Sequence, residues 1–164
     1  MNNFRITDGS NWDCIVTVSG GKDSIYQTVK MLEFNMHPLC VNVTPSAPTD
    51  FERDNLDALK RLGVDVLQFT TNTKVRNKLN RIGLVEVGDI TWADHATIFT
   101  IPIRVAVNFN IPLIIWGENS QNEYGGPAAD SASNTLTHEW LKKMGGLTWI
   151  LKEYNGSMES VNLI

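Results

Sequence analysis

Short apolar runs alternate along this chain with segments in which apolar residues recur every three or four positions. Cys14–Val18 is the first run. Its β-branched Ile15, Val16 and Val18, and its end just before a glycine pair, predict a strand. Ile25, Val29 and Leu32 then repeat at helical spacing with Tyr26 alongside, so a helix follows the glycines. Leu39–Val43 predicts a second strand, closed by Thr44-Pro45 and the polar segment Ser46–Asp50. Thr49 or Asp50 is placed to cap a helix from about Phe51 to Leu62, with Phe51, Leu56, Leu59 and Leu62 facing inward and Gly63 as its stop. Val64–Phe69 predicts a third strand. Lys74–Ile82 predicts a helix through Val75, Leu79 and Ile82 that ends at Gly83. Trp92–Phe109 carries two opposed signals. Its length and near-continuous apolarity favour a buried helix, while its β-branched residues and Pro102 disfavour one; a kinked helix is the expectation. Leu113–Trp116 predicts a fourth strand. The polar, glycine-rich Gly117–Asn134 exceeds an ordinary loop and predicts a lid or binding loop. Thr135–Met144 predicts a helix ended by Gly145-Gly146, and Leu147–Leu151 a last short strand.

Strands and helices that alternate in this way predict a parallel, doubly wound sheet with helices on both faces, a three-layer α/β/α sandwich. The 164 residues predict a single domain. Ligands in such sheets sit beyond the carboxyl ends of the strands, at the switch point. That rule selects Ser19–Ser24, Val43–Thr44, Thr70–Thr71 and Gly117–Asn119. In a 3-2-1-4 order the first and fourth strands are neighbours, and their two glycine-containing loops face each other across the ligand.

Composition changes this picture little. A net charge of −4 gives no basis for global nucleic-acid binding. The sequence has no 18-residue apolar stretch, so no membrane span is expected. Met1–Asp13 lacks a basic region followed by an apolar core, so it does not read as a signal peptide. Cys14 and Cys40 both fall in predicted strands and cannot form a Cys-x-x-Cys site. They read as small buried hydrophobes in a reducing cytoplasm.

The loop between the first strand and its helix reads Ser19-Gly20-Gly21-Lys22-Asp23-Ser24. Backbone N–H groups of such a turn and of a new helix N-terminus converge on one spot and favour an anion there. A Walker A loop is excluded, because Val16 stands where its first glycine would be. No Gly-x-Gly-x-x-Gly occurs. The loop resembles the Ser-Gly-Gly-x-Asp-Ser pyrophosphate loop of the N-type ATP pyrophosphatases, the PP-loop superfamily. The resemblance implies an adenine nucleotide alpha hydrolase-like fold, with ATP cleaved between its α- and β-phosphates to AMP and pyrophosphate.

Ser19, Gly20, Gly21, Lys22, Asp23 and Ser24 would then hold the β- and γ-phosphates, through backbone amides and through the hydroxyls of Ser19 and Ser24. Lys22 either adds a point charge or faces water. Asp23 either binds Mg²⁺ or holds the loop through backbone hydrogen bonds. Val43, Thr44, Thr70, Gly117, Glu118 and Asn119 complete the expected nucleotide contacts, and Glu118 joins Asp23 as a metal ligand.

Trp116-Gly117-Glu118-Asn119-Ser120-Gln121-Asn122-Glu123-Tyr124-Gly125-Gly126, together with Trp92-Ala93-Asp94-His95, Ile98–Ala106 and Lys74-Val75-Arg76-Asn77-Lys78-Leu79, is similar to the N-acetyl sugar amidotransferases. These are PP-loop enzymes of surface-polysaccharide biosynthesis. The similarity runs from about residue 12 to 127, and the chain corresponds to a shortened form: Met1–Asp13 has no cysteine where the family has a Cys-rich metal motif, and only Pro127–Ile164 follows the loop. The resemblance implies that an N-acetyl oxygen attacks the ATP α-phosphate and that ammonia from a separate glutaminase subunit displaces AMP. The acceptor would be a small molecule such as a nucleotide-linked N-acetyl sugar.

Asp23, Lys22, Glu118 and His95 are the expected catalytic set. For His95 an acid/base contact and a structural role stay open. Arg104, set among apolar residues, needs an anionic partner or must snorkel to solvent. Lys74, Arg76, Lys78 and Arg81 form a basic helix that is either a solvated face or a phosphate contact. Trp12 and Trp140 read as core or interface residues. A homodimer is a further expectation without an assigned surface. Two other function classes compete: a tRNA-modifying or sulfonucleotide-related PP-loop enzyme, and a nucleotide-binding module without acceptor activity.

Overall fold

A computed structural model describes residues 2–6, 8–44, 49–86 and 88–117. After a 3-10 turn at Asn2–Phe4 the order is β1 (Cys14–Val18), α1 (Lys22–Glu33), β2 (Pro38–Thr44), α2 (Asp50–Arg61), β3 (Asp65–Thr70), α3 (Thr73–Glu86), α4 (Trp92–Phe109) and β4 (Ile114–Ile115). The four strands pair in parallel in the order β3-β2-β1-β4. This is the expected three-layer α/β/α architecture with its switch point between β1 and β4. The loop Gly117–Asn134, the helix Thr135–Met144 and the strand Leu147–Leu151 lie outside the described residues, as do Glu118, Asn119 and Trp140.

Alternation along β1 sends its side chains into two cores, because successive strand residues face opposite sides of a sheet. Cys14, Val16 and Val18 join Met31, Met36, Cys40, Leu56, Leu59 and Val64 under α1 and α2. Ile15 joins Leu39, Val41, Val105, Ala106 and Ile111 under α4. Burial on both faces explains why the run reads as continuously apolar rather than alternating. Each such aliphatic side chain stabilises the fold by about 1.5–3 kcal/mol.

The helices follow their sequence signals with three differences. Thr49 caps α2 through a full capping box: its hydroxyl accepts from the Glu52 N–H, and the Glu52 carboxylate accepts from the Thr49 N–H at 2.6 Å. Only Leu56 and Leu59 of the expected inward face are buried; Phe51 and Leu62 sit at the two ends of the helix and are exposed. The second difference is Gly83, which does not stop α3. It is buried, and a Cβ there would lie 2.7 Å from both the Asp89 carbonyl oxygen and the Trp92 Cβ. Glycine serves close helix packing here, and the good helix formers Leu84 and Glu86 carry the helix on. Third, Val75 is exposed, because α3 packs on α4 rather than on the sheet. α4 runs through Pro102, which is buried, for its full expected length. Arg104 is exposed, so it reaches solvent. Trp12 is half-buried against the α4 core, edge-on to Phe109, with its indole N–H donating to Asp65.

Cys14 and Cys40 are buried and free, as expected. Burial, then Asp13 and Cys40, push the Cys14 thiol from 9.0 up to about 12. Burial also raises Cys40, against the lowering hydrogen bond from Thr28. A thiol that ionises more readily when unfolded binds fewer protons in that state above its ordinary range. Stability is therefore full below about pH 9 and falls as pH rises toward 12. From pH 8 to pH 10, urea unfolding should lose about 1.4 kcal/mol more in the wild type than in Cys14→Ala, in which this titration is gone. Equal losses in the two proteins would refute the assignment.

Candidate functional site

The β1–α1 loop is shaped from outside by α2. Gly20 has φ +87, and a Cβ there would lie 3.0 Å from the Glu52 carbonyl oxygen. Both the backbone conformation and the space exclude a side chain. The Gly20 carbonyl accepts a 2.6 Å hydrogen bond from the Asn55 side-chain amide, one turn further along α2. Gly21 occupies the N-cap of α1 in extended backbone and gives no side-chain cap. The opening N–H groups of α1 therefore keep their donor capacity at the positive end of the helix dipole. The Gly21 N–H donates to the Ser19 hydroxyl at 3.3 Å. The buried Ser24 hydroxyl donates back to the Gly21 carbonyl at 2.9 Å, and Thr28 donates to the Ser24 carbonyl at 2.9 Å. Ser24 thus braces the turn from below, while Ser19, Lys22 and Asp23 are exposed on its outer side.

β2 fixes the strand that feeds this loop. Asn42, fully buried, donates its side-chain amide to the Val18 carbonyl at 2.7 Å, and the Thr44 hydroxyl donates to the Asn42 side-chain oxygen. Val43 and Thr44 lie at the carboxyl end of β2, paired with Phe69 and Thr70 of β3. Thr44 is buried and Thr70 exposed, so the loop has close support from β2, while Thr70 belongs to the edge strand. On the other side β4 pairs Ile115 with Val16, which brings its exit, Trp116-Gly117, level with Thr17-Val18, just before the glycine turn. Thr17 donates to the Ile115 carbonyl, and Gln27 on α1 donates to the Trp116 carbonyl, both at 3.3 Å. Trp116 also stacks on Phe99 of α4, with centroids 5.3 Å apart.

α4 runs back toward the N-terminal end of β4, so its first turn sits at the carboxyl edge of the sheet. There His95 Nδ1 lies 3.3 Å from the Asp89 carboxylate. Burial raises the Asp89 pKa, but hydrogen bonds from the Thr91 hydroxyl and N–H, and then His95, outweigh it and hold the carboxyl below its usual range. Asp89 orients the imidazole, an arrangement that suits a proton acceptor or a structural pair alike. Asp94 receives the Arg76 guanidinium and the Asn80 amide (3.1 Å), and the Asn80 oxygen accepts from the Ala93 N–H (3.1 Å). Arg76 is therefore a tie between α3 and α4, whereas Lys74, Lys78 and Arg81 remain on the solvated face.

Among the described residues no three His, Cys, Asp or Glu side chains converge as a metal cluster. The exposed Asp23 carboxylate suits Mg²⁺, which takes one or two protein carboxylates and fills its other positions with water and phosphate oxygens. The sequence reading did not single out Asn42, Asn55 or Gln27 as site residues. Asn42 had a signal, a polar residue inside an otherwise apolar strand run. Asn55 and Gln27 are ordinary polar helix residues with no local mark.

No family model matches this chain, and no curated protein matches it. Among solved structures it is similar to one from Methanocaldococcus jannaschii described as a predicted subunit of tRNA methyltransferase. The match has a TM-score of 0.50 and 17% sequence identity over 80% of this chain. The chain spans 60% of that structure's length. At this identity the likeness shows the fold. Among the described residues no helix is long and apolar enough to cross a membrane.

Proposed function

We propose that this chain is a PP-loop enzyme that binds ATP at Ser19–Ser24 and adenylates an acceptor oxygen, releasing pyrophosphate. One observation carries the reading: a glycine turn in a conformation closed to side chains opens directly into an uncapped helix N-terminus at the β1/β4 switch point. The backbone amides of Gly21–Ser24 hold the outer phosphates, and the cation on Lys22 screens them. Asp23 offers a carboxylate to Mg²⁺, whose charge stabilises the departing pyrophosphate. Ser24 and Asn55 keep the turn from moving as charge shifts, so stabilisation comes from preorganised donors rather than a protein nucleophile. Within this reading the acceptor is an N-acetyl sugar whose amide oxygen is activated for ammonia from a glutaminase subunit. The reading assigns nucleotide contacts to Glu118 and Asn119, a metal-ligand role to Glu118 and a proton transfer to His95.

A second reading, a subunit of a tRNA-modifying enzyme, draws on the printed description of the similar archaeal structure and on the exposed cations of α3, Lys74, Lys78 and Arg81. The two separate in a pyrophosphate-release assay. The first reading expects release that depends on an N-acetyl sugar nucleotide plus ammonium; the second expects release that depends on tRNA. Asp23→Asn, an exposed change, should lower release by roughly a hundredfold, the scale of losing one transition-state contact, while the melting temperature stays within about 1 °C of wild type. ATP that binds without pyrophosphate release under either acceptor would leave a nucleotide-binding module. No ATP binding at all would end the reading.

A further inference from the structure

A trans peptide points its carbonyl and its N–H in opposite directions, so a contact that holds one aims the other. The β1–α1 loop is fastened at its carbonyls. Asn42 holds the Val18 carbonyl at 2.7 Å. The Gly21 carbonyl is held from within α1, by the Ser24 hydroxyl at 2.9 Å and the Ile25 N–H at 3.3 Å. Between them the Gly20 carbonyl is held from α2, by the Asn55 side-chain amide at 2.6 Å. The nitrogen end of that amide makes the contact, because a carbonyl only accepts. The Gly21 N–H consequently points away from Asn55. It meets the Ser19 hydroxyl at 3.3 Å, and Ser19 is exposed, so this N–H is aimed at the side of the loop that a ligand can reach.

The Gly20–Gly21 peptide has two allowed orientations, because a glycine stands on each side of it. Turning its plane over changes only ψ of Gly20 and φ of Gly21. Gly21 stands at φ −78 and ψ 162. A half-turn takes its φ to about +100, a region open to glycine and strained for any residue with a Cβ. The reversed plane shows the Gly20 carbonyl to the exposed side. A carbonyl repels a phosphate oxygen where an N–H binds it. We propose that Asn55 is a positioning residue that decides between the two orientations: its hydrogen bond to the Gly20 carbonyl presents the Gly21 N–H, and not the carbonyl, to a phosphate group. The inference rests on the nucleotide reading above and adds to it the residue that sets the sign of the loop's central dipole. The glycine pair gives the turn its shape but leaves its polarity open; a side chain 35 residues away on α2 closes that choice.

Nuclear magnetic resonance of the full chain reads the plane, and calorimetry with inorganic pyrophosphate reads its effect. Asn55→Leu keeps the side chain's size and removes the donor; Asn55→Ala does the same work if leucine unseats α2. In either variant φ of Gly21, measured from its scalar couplings, should leave the negative range. Pyrophosphate should then bind roughly tenfold to a hundredfold more weakly, the scale of a hydrogen bond to a charged group. Gly21→Ala supplies the rescue. Among the described residues a Cβ there comes within 4 Å only of the Ser19 hydroxyl oxygen, at 3.3 Å, and it opposes the reversed plane. In a Gly21→Ala background the Asn55 change should cost pyrophosphate affinity no more than about threefold, with residue 21 still at negative φ. A side chain that merely stabilised α2 would cost the same in both backgrounds. The coupling measurement decides even if Gly21→Ala itself binds no pyrophosphate. Negative φ retained at Gly21 in both Asn55 variants, or equal affinity losses in the two backgrounds, would overturn the proposal while leaving the nucleotide reading in place. Absence of both ATP and pyrophosphate binding by wild type would remove the nucleotide reading and, with it, the role given to Asn55.

Discussion

Gly20→Ala should abolish useful ATP affinity, with a loss of at least roughly a hundredfold, and destabilise the fold by about 2–4 kcal/mol. Two costs combine. An L-residue at φ +87 is strained by about 1–2 kcal/mol. The added methyl also meets the Glu52 backbone at 3.0–3.2 Å, and backbone inside a capped helix has little freedom to retreat. Either α2 shifts or the turn flips to negative φ. The second outcome rotates the amides away from the point on which they converge, and about 3 kcal/mol of lost ligand contact is a hundredfold. Gly63→Ala is the matched control. Gly63 has nearly the same backbone, φ +83, but nothing lies within 4 Å of its Cβ position and it is remote from the loop. It should cost about 1 kcal/mol and leave ATP binding unchanged. Calorimetry on both variants decides the matter: Gly20→Ala with ATP affinity within threefold of wild type would show that the turn is not a phosphate cradle.

The comparison of these glycines also shows what the sequence could and could not reveal. Gly20, Gly63 and Gly83 look alike in one dimension, each ending an apolar pattern. Gly63 is a helix stop because the chain needs positive φ there; Gly83 is not, because its missing side chain admits Trp92. Local spacing reports φ preferences and periodicity, and so it predicted all four strands, a cap at Thr49 or Asp50 and the length of α4. It carries no information on which helix covers which face. The exposure of Phe51, Leu62 and Val75 was therefore invisible, as was the docking of α3 on α4. The site divides in the same way. The anion loop is a contiguous string and could be read directly. Its supports come from α2 and β2: Asn55 on the Gly20 carbonyl and Asn42 on the Val18 carbonyl. They lie tens of residues away, and only the folded sheet brings them to the loop.

Asp94→Ala should strongly destabilise the α3–α4 junction, lowering stability by about 2–3 kcal/mol and the melting temperature by roughly 4–12 °C. The carboxylate faces the Arg76 guanidinium and the Asn80 amide, and Asn80 in turn holds the Ala93 N–H, one of the opening donors of α4. Truncation leaves the Arg76 cation, whose side chain is only 14% exposed, without its counter-charge. Its Nη1 already lacks an acceptor among the described residues. Removing one partner of such a pair costs more than removing both, because the penalty lies in the stranded charge. Partial exposure of Asp94 places the estimate below the range for a fully buried pair. The Arg76→Met/Asp94→Ala double variant should therefore recover at least half of the loss, which denaturant titration of the four proteins in the cycle would measure. A double variant less stable than Asp94→Ala would show that Arg76 contributes by packing its aliphatic stem and not through its charge. A cost below about 0.5 kcal/mol for Asp94→Ala would show that the pair is screened by water and that Gly83 and Trp92 alone hold the two helices together.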